Sequence, residues 1–128
     1  MGDNRPLART RVCAVIDDDA SVRDSLGILL ETHGFEARLY GCGSAFLATP
    51  DRDLHFVIID QHMPGMAGLD VVEALRCEGL SIPTILITGR PDAHVVERAK
   101  ELGVPVLEKP FVSVQLLELI GAEQRQDL

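Results

Sequence analysis

Apolar residues in this chain gather in short runs that alternate with stretches of helical spacing. VCAVI (12–16) is a continuous apolar run of strand length, and in the following SVRDSLGILLETHG the residues Val22, Leu26, Leu29 and Leu30 recur at helical intervals. Ser21 and Asp24 predict a capping-box start for that helix, and Gly34 its stop. FEARLY (35–40) alternates as a half-buried strand does, SAFLAT suits a short helix, and LHFVIID (54–60) is the next apolar run. Beyond Pro64 and Gly65, GLDVVEALRCEG predicts a helix, and PTILIT (83–88) a strand whose proline fits only at its beginning. Val95, Val96, Ala99 and Leu102 stripe a helix that ends at Gly103 and that Pro91 is expected to start early. VPVLE (104–108) is a short strand whose internal Pro105 assigns it to a sheet edge. A last helix is predicted from Pro110, with Val112, Leu116, Leu119 and Ile120 on one stripe.

Five apolar strands taking turns with five helices predict an α/β fold, a doubly wound parallel sheet covered on both faces. At 128 residues the chain has the size of one domain, and its 46% hydrophobic and 25% charged residues are globular composition. The expected organisation is a flexible arm over residues 1–10, one domain over 11–125, and no output domain after the last helix. MGDNRPLART lacks an apolar secretion segment and no apolar run has membrane-spanning length, which predicts a cytoplasmic protein with no membrane association. A formal charge of −8 without a Lys/Arg cluster argues against direct nucleic-acid binding. Cys13, Cys42 and Cys77 have neither disulfide nor zinc spacing and are expected as free core or surface residues.

Ligands of doubly wound sheets bind beyond the carboxyl ends of the strands. Those ends carry Asp17, Asp18 and Asp19 after the first strand, Asp60 after the third, Thr88 after the fourth, and Glu108 and Lys109 after the fifth. Carboxylates brought together repel unless a cation joins them, and hard oxygen donors without soft partners suit Mg2+. A carboxylate can also attack phosphorus, given donors that offset the phosphoryl charge. Asp60, Thr88 and Lys109 fit the parts of nucleophile, hydroxyl donor and cation. Taken alone, DDD is an ordinary solvated turn and Thr88 an ordinary strand end; the constellation carries the weight. GCGSAF (41–46) lacks the third small residue of a dinucleotide loop and is read as a turn before a short helix. His33, His55 and His94 have no partner at metal-ligand spacing and are expected as surface or satisfied histidines.

VIDDDASVRDSL, VIIDQHMPGMAGLD, ILITGR and EKPF together resemble, in order and spacing, the motifs of response-regulator receiver domains over roughly residues 11 to 122. The resemblance implies a flavodoxin-like (βα)5 fold with strand order 2-1-3-4-5. It implies that Asp60 accepts a phosphoryl group, that Asp17 and Asp18 form the acidic pair with Asp18 a direct Mg2+ ligand, and that position 62 adds its backbone carbonyl. Thr88 would hydrogen-bond the phosphoryl group and Lys109 pair with it, with Pro110 often following a cis bond. His62 and Arg90 occupy positions that flank the path of the hydrolytic water. The implied partners are a sensor histidine kinase or histidine phosphotransfer protein, a downstream target protein, and a second copy of the chain in a homodimer. Val114 and Leu117 are candidates for a contact face.

Two departures from the family pattern bear on this reading. Val106 stands where many receivers have an inward-turning aromatic, and a β-branched valine has no ring to swing. The stretch from Thr88 to Lys109 is about a residue short. A constitutive interaction module with a vestigial pocket is therefore one alternative. A haloacid-dehalogenase-like phosphohydrolase is another, but it needs an acid two residues after the nucleophile, where this chain has His62.

Overall fold

The computed structural model describes residues 11–49 and 53–125, so the expected arm over 1–10 lies outside the described residues. Strands β1 (Arg11–Ile16), β2 (Phe35–Tyr40), β3 (Phe56–Asp60), β4 (Thr84–Thr88) and β5 (Val106–Glu108) form one sheet in the order β2-β1-β3-β4-β5. All four neighbouring pairs are parallel. Helices α1 (Ala20–Thr32), α2 (Gly43–Leu47), α3 (Gly68–Cys77), α4 (Ala93–Leu102) and α5 (Ser113–Arg125) fill the crossovers and the end of the chain. The doubly wound α/β fold and its 2-1-3-4-5 order are as expected.

The alternation of side chains along a strand divides the core between the two faces of the sheet. Cys13, Val15, Phe56, Ile58, Ile85 and Ile87 pack with Leu26 and Leu30 of α1 and Leu116 and Ile120 of α5. Ala14, Ile16, Val57, Ile59 and Leu86 pack on the other face, with Phe46 of α2, Leu69 and Val72 of α3, and Val95 and Ala99 of α4. Because β3 and β4 are covered on both faces, every residue in them is buried and the two are apolar throughout except at their ends, Asp60 in β3 and Thr84 and Thr88 in β4. Edge strand β2 is only half-buried, which is why it alternates. Pro105 falls just before β5 rather than inside it, and its carbonyl still accepts from Leu86 N at 2.9 Å. The strand lies at the edge, as its proline required.

Helix starts depart from the sequence reading because caps, not prolines, set them. Asp19 caps α1, accepting from Ser21 N at 2.9 Å and Val22 N at 3.4 Å, so Ser21 and Asp24 lie inside the helix. Gly34, at φ 89°, follows its end as expected. Asp92, accepting from Val95 N at 3.0 Å, starts α4 at Ala93, so Pro91 gives no early start. Helix α5 begins at Ser113, not Pro110; just ahead of it Val112 N donates to the Gln115 side-chain oxygen at 3.1 Å, which caps the first turn. Val112 therefore precedes the helix and is 60% exposed, and Val96 at 44% lies off the buried stripe of α4. His55 is a satisfied histidine: its Nδ1 accepts from Val12 N at 2.9 Å. Cys13 is buried, Cys42 half-buried and Cys77 exposed, all three free, and burial pushes the Cys13 thiol well up against a weaker opposing contact from the Ile58 backbone.

Candidate functional site

Parallel strands start at one edge of the sheet and end at the other, so the polar residues that close β1, β3, β4 and β5 converge. Asp17 and Asp60 are 1% and 5% exposed, whereas Asp18, on the turn into α1, faces solvent. Carboxylate oxygens of Asp17, Asp18 and Asp60 all lie within 4.8 Å of one another. Lys109 reaches in from the end of β5, its Nζ 3.3 Å from Asp60 Oδ1 and 3.4 Å from Asp17 Oδ2. Thr88 is fully buried, and its Oγ1 accepts from Arg90 N at 3.0 Å, leaving its own proton free to donate.

The charge balance of this group is unfavourable without a further cation. At an effective dielectric of about 20, Lys109 attracts Asp60 at 3.3 Å by about 5 kcal/mol, whereas Asp17 and Asp18, each within 4.8 Å of it, repel it by about 3.5 kcal/mol apiece, about 7 kcal/mol together. One lysine does not balance two carboxylate neighbours. Burial raises the Asp60 carboxyl above its usual range and the Asp17 charge raises it further; Lys109 opposes both, and Asp18 adds a smaller upward push. Burial alone would lower the Lys109 ammonium, but the charges and hydrogen bonds of Asp17 and Asp60 outweigh it and leave the group raised. An all-oxygen donor set with an acid that resists ionising fits a hard divalent cation such as Mg2+.

A cleft of about 420 Å3 opens over Asp60, lined also by His62, Gly89, Arg90 and Lys109. The structure thus brings together the expected Asp17, Asp18, Asp60 and Lys109, with His62 and Arg90 at the mouth. The side chain of His62 is exposed and is not among the clustered oxygen donors. Roomier clefts, one between the β3–α3 turn and α4 and one between α1 and the β5–α5 turn, contain neither Asp60 nor the acidic pair.

Three supporting residues escaped the sequence reading. Arg23, on the first turns of α1, donates from Nη1 to Asp17 O at 2.7 Å and holds the β1–α1 turn. Gly68 sits against Asp60: a Cβ there would lie 2.6 Å from the Asp60 carbonyl oxygen. Gln61 is 7% exposed and its side-chain oxygen accepts from Leu69 N at 2.9 Å. Only the polarity of Gln61, at the end of an otherwise apolar run, signalled a partner in the sequence.

The chain is similar to known proteins over most of its length. The family described as "Response regulator receiver domain" matches residues 13–121. The transcriptional regulatory protein FixJ of Bradyrhizobium diazoefficiens is 38% identical over 114 residues, covering 88% of this chain and 56% of the relative. The C4-dicarboxylate transport transcriptional regulatory protein DctR of Rhodobacter capsulatus is 35% identical over 109 residues, covering 82% of this chain and 55% of the relative. The chain spans about half the length of these curated relatives. A crystal structure of full-length FixJ from B. japonicum superposes with a TM-score of 0.83 at 36% identity, over 92% of this chain and 60% of that one. A CheY-like receiver from Methanospirillum hungatei superposes with a TM-score of 0.83 at 22% identity, over 93% and 98% of the two chains, which is a likeness of fold.

Proposed function

Since the chain belongs to the response regulator receiver domain family of two-component signalling, we propose that Asp60 is its phosphoacceptor and that phosphorylation changes its binding to a partner protein. The observation that carries this reading is a buried carboxylate at a strand end, held 3.3 Å from Lys109 and crowded by two further acids. The phosphodonor is a phosphohistidine of a sensor histidine kinase or a histidine phosphotransfer protein. A P–O bond forms to Asp60 as the P–N bond breaks, and the imidazole leaves. Mg2+, held by Asp18, Asp60, Asp17 and the backbone carbonyl of His62, would offset negative charge on the phosphoryl oxygens.

The chain's own residues supply the rest. Lys109 turns from the Asp60 oxygen to the phosphoryl oxygens, and the neighbouring Asp17 keeps it charged. Thr88 donates its hydroxyl proton to the phosphoryl group. Because Thr88 Oγ1 also holds Arg90 N, this movement bears on the β4–α4 turn, an outlet for the signal that needs no aromatic at Val106. His62 and Arg90 stand at the mouth and tune the lifetime of the phosphoryl group.

Signalling modules of this family exert their effects through other proteins, and we assign this one a kinase or phosphotransfer partner upstream and a target protein, or a second copy of itself, downstream. We place it in the cytoplasm, where free thiols such as Cys42 and Cys77 persist; among the described residues no helix is long and apolar enough to cross a membrane. Intact-mass measurement after incubation with acetyl phosphate tests the central step. One Mg2+-dependent phosphate adduct, absent from Asp60→Asn, is expected. No adduct on the wild type under any condition would refute it in favour of a constitutive binder.

A further inference from the structure

Between β3 and α3 the chain makes a turn over residues 62–67 whose neck is closed by one residue, Gln61. Its N–H donates to Ile87 O at 2.9 Å, its carbonyl accepts from Gly68 N at 3.1 Å, and its side-chain oxygen accepts from Leu69 N at 2.9 Å. The last bond answers a need of α3. The first N–H groups of a helix lack partners within it, and the residue at the N-cap, Ala67, has no side-chain acceptor. Leu69 is fully buried, so its N–H has no access to water, and an unmet donor there is costly.

A serine at position 67 would meet that need locally. Drawing the cap from Gln61 instead ties α3 to the residue that follows Asp60 and precedes His62. Gly68 completes the junction from the other side by resting on the Asp60 carbonyl. Together with the bond to Ile87, one residue before Thr88, these contacts anchor both ends of the segment that carries Asp60 and His62.

We infer that Gln61 is a positioning residue: by closing the neck of the 62–67 turn onto α3 it sets the stance of Asp60 and His62 toward Asp18, and so the cation affinity and phosphorylation rate of the pocket. This rests on the receiver chemistry proposed above. Gln61 touches no reacting atom; it acts through the two residues on either side of it.

The test separates a capping role from a positioning role. Gln61→Met keeps the length of the side chain and removes its acceptor. Adding Ala67→Ser to it returns an acceptor to the N-cap without restoring the link to residue 61, and Ala67→Ser alone is the control. Three quantities are measured on each protein: the thermal midpoint without Mg2+, the Kd for MgCl2 by titration calorimetry, and the rate of phosphate uptake from acetyl phosphate by intact mass. Gln61→Met is expected to melt earlier, to bind Mg2+ about tenfold more weakly, as outer-shell substitutions do, and to take phosphate more slowly. The double variant regains midpoint through its new cap and keeps the weak Mg2+ affinity and slow uptake. A double variant with the Mg2+ affinity and uptake of wild type overturns the inference and leaves Gln61 a cap, as does an unchanged Mg2+ affinity in Gln61→Met. Wild type that binds no Mg2+ and takes no phosphate would strike the receiver chemistry itself, a result distinct from either.

Discussion

Replacing Gly68 by alanine probes how tightly α3 is seated on the phosphoacceptor strand. An ideal Cβ at Gly68 would lie 2.6 Å from Asp60 O and 2.9 Å from Leu86 Cδ1, against the 3.4 Å at which ordinary contact begins. The shortfall at the carbonyl, 3.4 − 2.6, is about 0.8 Å. Strand β3 is buried throughout and cannot retreat, so the start of α3 must swing outward. Such a shift would stretch Gly68 N···Gln61 O from 3.1 Å and Leu69 N···Gln61 Oε1 from 2.9 Å beyond hydrogen-bond range. Overpacking costs about 1–3 kcal/mol and each lost bond about 1 kcal/mol, while alanine returns at most about 1 kcal/mol over glycine in a helix. The net expectation is a loss of about 2–4 kcal/mol, on the order of 10 °C in thermal midpoint. Urea denaturation of Gly68→Ala beside Gly27→Ala checks it. In Gly27→Ala the new Cβ meets Leu39 Cδ2 at 3.4 Å in mid-helix, and a gain of about 0.5–1 kcal/mol is expected. A Gly68→Ala protein as stable as wild type would refute the seating of α3 on Asp60.

Asp60→Asn should raise the thermal midpoint of the Mg2+-free protein at pH 7. The folded carboxyl titrates above its unfolded value, so the stability linked to its protonation is present in full below the unfolded value and is lost as pH rises through the folded one; the advantage of the variant should vanish toward acid in a pH series of melts. Arg98 bridges α4 to Asp70 at 2.9 Å and Glu73 at 2.7 Å on α3, and Arg98→Ala should cost about 0.5–1 kcal/mol in low salt and less in 1 M NaCl, read by denaturation at both. Leu116→Ala, at a fully buried site on α5, should lose about 2–5 kcal/mol, whereas Val114→Ala, 56% exposed, should melt as wild type does. His62→Ala and Arg90→Ala should change the half-life of the phosphorylated protein followed by intact mass, and decay at the wild-type rate in both would remove these residues from the hydrolytic path.

Much of this architecture is written in local pattern. Apolar runs 12–16, 54–60 and 83–88 became β1, β3 and β4 because a strand buried on both faces tolerates little else, and a polar residue at its end marks where it leaves the core. Asp60 and Thr88 were therefore legible as strand-end groups, and the edge position of β5 followed from a proline that cannot donate to a ladder. Helix starts were less legible, since Pro91 and Pro110 permit a helix to begin but the carboxylate of Asp92 and the Gln115 side chain that takes Val112 N fix where it does.

The distances were beyond the reach of local pattern. Lys109 Nζ meets the carboxylate of Asp17, 92 positions away, because parallel pairing through β3 and β4 brings the ends of β1 and β5 to the same edge. The clasp of Gln61 on Leu69, the hold of Arg23 on the β1–α1 turn, and the lack of space at Gly68 likewise arise only when elements pack. Periodicity is a property of neighbours along the chain, whereas the electrostatics of Asp60 depend on burial and on charges that the sheet gathers from remote segments. Residue types and strand ends are one-dimensional facts; the site is their convergence in three dimensions.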